Sequence, residues 1–217
     1  MNLSNIKDYN TFVEKSISLF NSTIFIKLNE KMSYFNKNLT RCVYYIGPLL
    51  YGLNKYIYDK PSFGLFKNYI LYRKIKCTKL HFCQYELNLG KIICFPSFTS
   101  TYYEPYDFTR PNGDNKLDNI DESMLNVKMI FKYEYIKGNI SPGIIIDNNI
   151  DHGSRPLSKN NEKEVLLFPF TFAKINSINS EEKIGMKIKI IKFEIIPKKD
   201  YIEYKLREDV KNWVKFS

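Results

Sequence analysis

Glu162-Lys163-Glu164-Val165-Leu166-Leu167-Phe168-Pro169-Phe170-Thr171-Phe172 places two carboxylates two residues apart at the mouth of an apolar run rich in β-forming residues. The run reads as a buried or half-buried strand, in which positions i and i+2 point to one face. A strand that begins at or just before Glu162 projects Glu162 and Glu164 side by side, with Cα atoms roughly 6.5–7 Å apart and Lys163 on the other face. The polar, turn-rich segment 148–161 just upstream reads as a loop. A long loop that delivers paired carboxylates to the rim of a core strand is a common place for chemistry. The plainer alternative is a solvated Glu-Lys-Glu at a strand entrance.

Working outward, the segments around this strand are also extended. Tyr69-Ile70-Leu71-Tyr72-Arg73-Lys74-Ile75-Lys76 is a β-like run ending in cations, and 92–102 is a second, with Pro96 arguing for an edge or a bulge. Residues 127–136 alternate as a third strand and 141–146 follow as a fourth. After the carboxylate strand, 187–196 alternates lysine with isoleucine, as a half-wet antiparallel strand would. A short helix is expected over 78–89, closed by Gly90. The stretch 103–123 reads as a long loop.

Ahead of the strands, Phe12, Val13, Ile17, Phe20 and Ile24 fall at helical spacing within 8–28, after a plausible N-cap at Asn10-Thr11. A second helical segment is expected over 38–58, broken or started at Gly47-Pro48. Helices first and strands after argue for an α+β fold over a doubly wound one. The 217 residues predict one domain over 1–217, mainly helical in 1–60 and mainly strand in 65–217. With 44% hydrophobic and 16% aromatic residues, such a domain has ample material for a core.

The net charge is +10, and it is uneven: residues 1–110 hold 15 Lys/Arg against 7 Asp/Glu, while 111–217 hold 18 against 16. The excess in the first half suits an anionic partner or a merely solubilising lysine surface. The cysteines, Cys42, Cys77, Cys83 and Cys94, show no Cys-x-x-Cys, and His81 and His152 are the only histidines, so no metal site is expected. No signal peptide and no span of roughly 18–20 apolar residues is read, which predicts a cytoplasmic protein with free thiols and no membrane partner, with secretion by a non-classical route as the alternative.

Arg73 in an apolar strand, Ser100 at the end of a Ser/Thr-rich strand and Glu164 at the start of another resemble, in order and flanks, the Arg–Ser–Glu signature of arginine-specific mono-ADP-ribosyltransferases. Leu71-Tyr72-Arg73 matches the arginine motif, and Ser97-Phe98-Thr99-Ser100-Thr101-Tyr102 is similar to the family's Ser-Phe-x-Ser-Thr-Ser. Glu162 to Phe172 resembles Glu-x-Glu-Val-Leu with its Pro-containing, Phe-rich strand, and Tyr51-Gly52-Leu53-Asn54-Lys55 looks like the helix ahead of the arginine strand. The resemblance covers roughly residues 40–196.

It implies an ADP-ribosyltransferase-like fold of two packed, mostly antiparallel sheets with N-terminal helices. The implied substrates are NAD and an acceptor protein with an exposed arginine, with no metal. Arg73 would offer forked donors to the NAD diphosphate or its neighbouring ribose. Glu164 would stabilise the oxocarbenium-like charge that builds as nicotinamide leaves. Ser100 would position Glu164, and Glu162 would bind the acceptor guanidinium and help remove its proton. The aromatics Tyr102, Tyr103, Tyr106 and Phe108 would be available to stack on nicotinamide. Two positions depart from the pattern: Lys74 stands where the family has glycine gripping the nicotinamide amide, and Tyr102 where it has serine. The absence of Gly-x-Gly-x-x-Gly agrees with a non-Rossmann NAD site. The alternatives are an NAD glycohydrolase and a catalytically inactive basic binding module of the same fold. No familiar nucleic-acid-binding motif occurs, so a nucleic-acid partner is not expected.

Overall fold

Buried Tyr69, Leu71 and Cys77 alternate with exposed Ile70, Lys76 and Thr78, and this pleated pattern forms strand β1, Tyr69–Thr78. The computed structural model of the chain describes residues 50–103, 124–146, 164–183 and 186–197. The helix expected over 8–28, the first part of that over 38–58, nearly all of the 103–123 loop, the 148–161 loop and Glu162 lie outside the described residues. The second expected helix is seen from residue 50 on, as α1 over 50–59.

After β1 the chain turns directly into α2, Lys79–Leu87, whose N-cap Thr78 hydroxyl accepts the His81 backbone N–H at 3.2 Å. Gly90 leaves this helix at φ +79, a conformation that costs glycine nothing, and its N–H donates to the Ile175 carbonyl at 2.8 Å. The remaining strands are β2 (Ile92–Phe95), β3 (Thr99–Tyr102), β4 (Met124–Tyr133), β5 (Gly143–Ile146), β6 (Glu164–Leu167), β7 (Thr171–Lys183) and β8 (Met186–Ile195).

The described strands form one eight-stranded hydrogen-bonded sheet in the order β2-β7-β8-β4-β1-β3-β6-β5, and not the two packed sheets that the resemblance implied. Something of a division is nonetheless built in. β1 pairs with β4 over ten residues, whereas its register with β3 is the single pair Tyr72–Tyr102. Past that rung the two strands part, so five strands lie on one side of a fork and three on the other.

Three local expectations are corrected. The run 92–102 is two strands, broken around Pro96: β2 lies at one edge beside β7, and β3 lies between β1 and β6. The carboxylate strand ends at Leu167, because the chain turns through Phe170 at φ 60 before β7 begins. β8 is antiparallel only to β7; against β4 it runs parallel, with Phe131 opposite Phe193.

The core explains why β6 shows no alternation. All four of its residues are buried, because both of its faces are covered. Val165 and Leu167 join the main cluster with Leu71, Phe131 and Phe193, which α2 closes with Phe82 and Tyr85. Leu166 and Phe168 face a second cluster with Leu53 and Ile57 of α1, Phe98, Ile144 and Ile146. The Phe131 and Phe193 rings stack at 4.9 Å, with Phe95 edge-on to both.

Candidate active site

Strand register places the polar groups. In an antiparallel pair, directly opposed residues share a face. Tyr102 is opposite Glu164 on one side and Tyr72 on the other, so these three side chains lie on one face. Ser100, two residues before Tyr102, shares that face. The β3–β6 pairing thus sets the Ser100 hydroxyl diagonally across from the Glu164 carboxylate, and it donates a short hydrogen bond to Oε1. Neighbouring Thr101, fully buried, donates from Oγ1 to the Val165 carbonyl at 2.8 Å and locks the same register from the opposite face.

Arg73 alternates onto the other face of β1, between Leu71 and Cys77, which belong to the main core cluster. It is half-buried where β1 and β3 part, and Nη1 donates to the Ser100 carbonyl at 3.1 Å. One residue, Ser100, therefore takes the guanidinium on its carbonyl and supports the carboxylate with its hydroxyl. Arg73, Ser100 and Glu164 come from three strands that are far apart in sequence, and the fork brings them together. Glu162 is outside the described residues. Lys74, on the Tyr72 face of β1, borders the same fork.

The electrostatics follow from burial. Glu164 is 8% exposed, and desolvation raises its pKa above the usual 4.5, against the Ser100 hydrogen bond and the Arg73 charge, which favour the ionised form. Desolvation likewise lowers Arg73, opposed by Tyr85, Tyr102 and Glu164. Among the described residues the Ser100 hydroxyl is the one donor to the Glu164 carboxylate. The site thus holds an acid that burial makes reluctant to ionise, beside a cation and a hydroxyl that hold it ready to do so.

Of the four aromatics singled out in sequence, Tyr102 lies beside Glu164, while Tyr103 turns to Tyr69, with ring centroids 5.3 Å apart. Tyr106 and Phe108 are outside the described residues. Sequence reasoning placed Tyr72 in the arginine motif without giving it a role, and did not single out Tyr85 or Lys128. Tyr85 rises from α2 to within electrostatic reach of Arg73, and Lys128 Nζ lies 5.5 Å from the Tyr72 ring centroid. The helical spacing of Phe82 and Tyr85 signals a buried face of α2, but nothing in sequence says that β4 lies beside β1.

No protein-family model matches the chain, and no curated protein matches it by sequence. Solved structures do match. Vis toxin, an ADP-ribosyltransferase from Vibrio splendidus, matches with a TM-score of 0.52 at 18% identity, over 87% of this chain and 76% of that one. C3larvin toxin, an ADP-ribosyltransferase from Paenibacillus larvae, matches at 0.54 and 14% identity, over 91% and 96%. A structure of Vis in complex with agmatine matches at 0.50 and 19% identity, over 89% and 78%. At identities this low the likeness is one of fold. The chain has an ADP-ribosyltransferase-like fold, and its described residues are mostly sheet with few helices.

Proposed function

We propose that this chain is an NAD-dependent mono-ADP-ribosyltransferase that transfers ADP-ribose to an acceptor arginine and releases nicotinamide. The observation that carries the reading is the linkage of three side chains through Ser100: guanidinium to carbonyl, hydroxyl to carboxylate. Structural similarity to ADP-ribosyltransferase toxins supports the reaction class, and the Vis complex with agmatine, a guanidinium compound, supports the acceptor chemistry.

Each residue has a task that its chemistry suits. The Arg73 fork binds phosphate oxygens in a planar, bidentate manner. Breaking the nicotinamide–ribose bond develops positive charge on the ribose, and the Glu164 carboxylate stabilises it while accepting a hydrogen bond from a ribose hydroxyl. Ser100 fixes the carboxylate before the charge forms, so little reorganisation is needed at the moment of reaction. Tyr102, beside Glu164, offers a ring face to the nicotinamide. Glu162 binds the acceptor guanidinium and takes its proton, a role that rests on its place two residues before Glu164 in the Glu-x-Glu motif.

The test uses NAD labelled in the ADP-ribose moiety, with agmatine as acceptor. The wild type should release nicotinamide and label agmatine, and Glu164→Gln should slow nicotinamide release by about 10²–10³-fold. Glu162→Ala should lose transfer to agmatine while nicotinamide release continues into water. Release that survives intact in Glu164→Gln overturns the mechanism. A wild type that only hydrolyses NAD makes the chain a glycohydrolase.

A further inference from the structure

At the end of β5 remote from Glu164, two segments distant in sequence are stitched together. The Leu65 N–H donates to the buried Ser141 hydroxyl at 2.8 Å, and the Tyr135 N–H donates to Asn68 Oδ1 at 2.9 Å. Between these bonds the Phe66 ring meets the Tyr135 ring edge-on, with centroids 6.0 Å apart. Residues 136–139 then turn tightly, with the Asn139 N–H on the Ile136 carbonyl at 3.0 Å and Gly138 at φ +92. Folding alone would select the opposite pattern of burial for this turn. Its amide side chain, Asn139, is buried, and neither the oxygen nor the nitrogen has a hydrogen-bond partner among the described residues. Ile136 and Ile140, on either side of it, are 48% and 58% exposed. Phe66 and Ile70 are exposed on the neighbouring segment. Polar in and apolar out is an arrangement that a surface turn keeps for something other than stability.

The charge around these side chains is mostly of one sign. Lys67 follows Phe66, Lys137 follows Ile136, and Lys132 is opposite Ile70. The single acid in either segment, Glu134, is paired with Lys132. We infer that 64–70 and 132–143 form a membrane-docking surface, which sets Phe66, Ile136 and Ile140 into the interface of an anionic bilayer while Lys67 and Lys137 meet the lipid headgroups. Among the described residues no helix is long and apolar enough to cross a membrane, so the contact is interfacial. An anionic lipid surface suits these residues better than an acidic protein does. A bilayer interface accommodates separate apolar side chains, each beside a lysine, whereas a protein partner needs a continuous complementary area of about 800 Å². Position favours the same choice: Gly143 is opposite Leu167 at the docking end of β5, and Ile146 is opposite Glu164 at the other. A bilayer at the first end leaves the Glu164 end open, and a protein acceptor bound there instead would sit at the wrong end of β6. The inference does not depend on the NAD reading. No local run of sequence shows the surface, because its apolar residues come from two segments that only the fold joins.

The test is co-flotation of the whole chain with vesicles of phosphatidylcholine alone and of phosphatidylcholine with about one-third phosphatidylserine. The wild type should bind the second kind, and added salt should weaken that binding. Ile136→Ser combined with Ile140→Ser should weaken it by about tenfold or more, and the two leucine substitutions at the same positions should retain it. Lys67→Gln combined with Lys137→Gln should lose about fivefold per lysine, and the preference for phosphatidylserine should shrink with it. All four side chains are exposed, so thermal midpoints should match the wild type. The control is Leu80→Ser with Leu87→Ser on α2, which begins at the other end of β1; both leucines are more exposed than the isoleucines, and their loss should leave binding unchanged. No binding by the wild type, or full binding by the isoleucine-to-serine variant, overturns the docking surface. Equal weakening by the α2 control overturns it too, because the binding is then general stickiness. A wild type that ignores both vesicles and binds polyglutamate through Lys67 and Lys137 marks an acidic-protein surface and overturns the lipid assignment. Release of nicotinamide from free NAD should be the same in the isoleucine-to-serine variant and the wild type, so the catalytic reading and the docking surface stand or fall separately.

Discussion

Glu164 shows how one residue's surroundings become a pH profile. Its folded pKa is raised by burial above the usual 4.5, in spite of Ser100 and Arg73. The native state therefore holds its proton to higher pH than the unfolded chain does. Below about pH 4.5 the carboxyl is protonated in both states, and the stability linked to the shift is fully present. As pH rises through the folded pKa, that stability is lost. Glu164→Gln keeps an acceptor for the Ser100 hydroxyl and does not titrate. Thermal unfolding measured from about pH 4 to about pH 8 should thus show the variant gaining on the wild type as pH rises, then keeping a constant offset from it. Under the proposed mechanism, nicotinamide release by the wild type should climb over the same window, because the ionised carboxylate is the form that stabilises positive charge on the ribose. Two parallel stability curves would mean that Glu164 is not held in the buried, proton-retaining setting described above.

At the scale of elements, the pairing of β3 with β6 is what makes Ser100 and Glu164 neighbours, since a slip of one residue would send one of them to the other face. Thr101 guards that pairing with its bond to the Val165 carbonyl. Thr101→Val keeps the shape and leaves that buried carbonyl short of one donor, at a cost of about 1–3 kcal/mol. A lower urea midpoint with an unchanged slope should report the loss, and the rate of nicotinamide release should fall with it as the Ser100–Glu164 bond loosens. Much of this scale could be read from sequence. β1, β4 and β8 declare themselves by alternation, Thr78 starts α2 as a helix cap should, and Arg73, Ser100 and Glu164 stand out as polar residues inside β-forming runs. What stayed hidden is non-local. The parallel contact of β8 with β4 and the pairing of Lys74 with Lys128 depend on strand order, which no local pattern encodes. β6, buried on both faces, has no alternation to mark where it ends, and the turn at Phe170 uses a left-handed backbone that aromatic residues seldom adopt.

For the molecule as a whole, the sheet consists of five strands and three strands joined at the single rung Tyr72–Tyr102. Ser100 and Glu164 belong to the three-stranded side; Arg73, Lys74 and Lys128 belong to the five-stranded side. A nucleotide held as proposed, by Arg73 on one side and by Ser100 and Glu164 on the other, would span the junction, and the overall charge of +10 would favour an anionic ligand, most strongly at low salt. A ligand that binds only the native state stabilises it, by about 2.7 kcal/mol at a hundred times its dissociation constant. The spanning geometry says where that stabilisation should be felt. Among the described residues the backbone pairing of β3 and β6 is to one another, to β5 and by one rung to β1, so despite their packing on the core they should open more readily than β4 and β8, which are paired along most of their length. Saturating ADP-ribose, which is not consumed as NAD would be, should slow amide hydrogen exchange at Ser100, Tyr102 and Val165 by about tenfold or more under conditions where exchange occurs by local opening. The tip of the β7–β8 hairpin, at Glu181 to Lys183, is separated from the fork by β8, β4 and β1, and its exchange should not change. Slowing confined to β4 and β8 would place the ligand on the five-stranded side alone, and the fork would then not be the binding cleft.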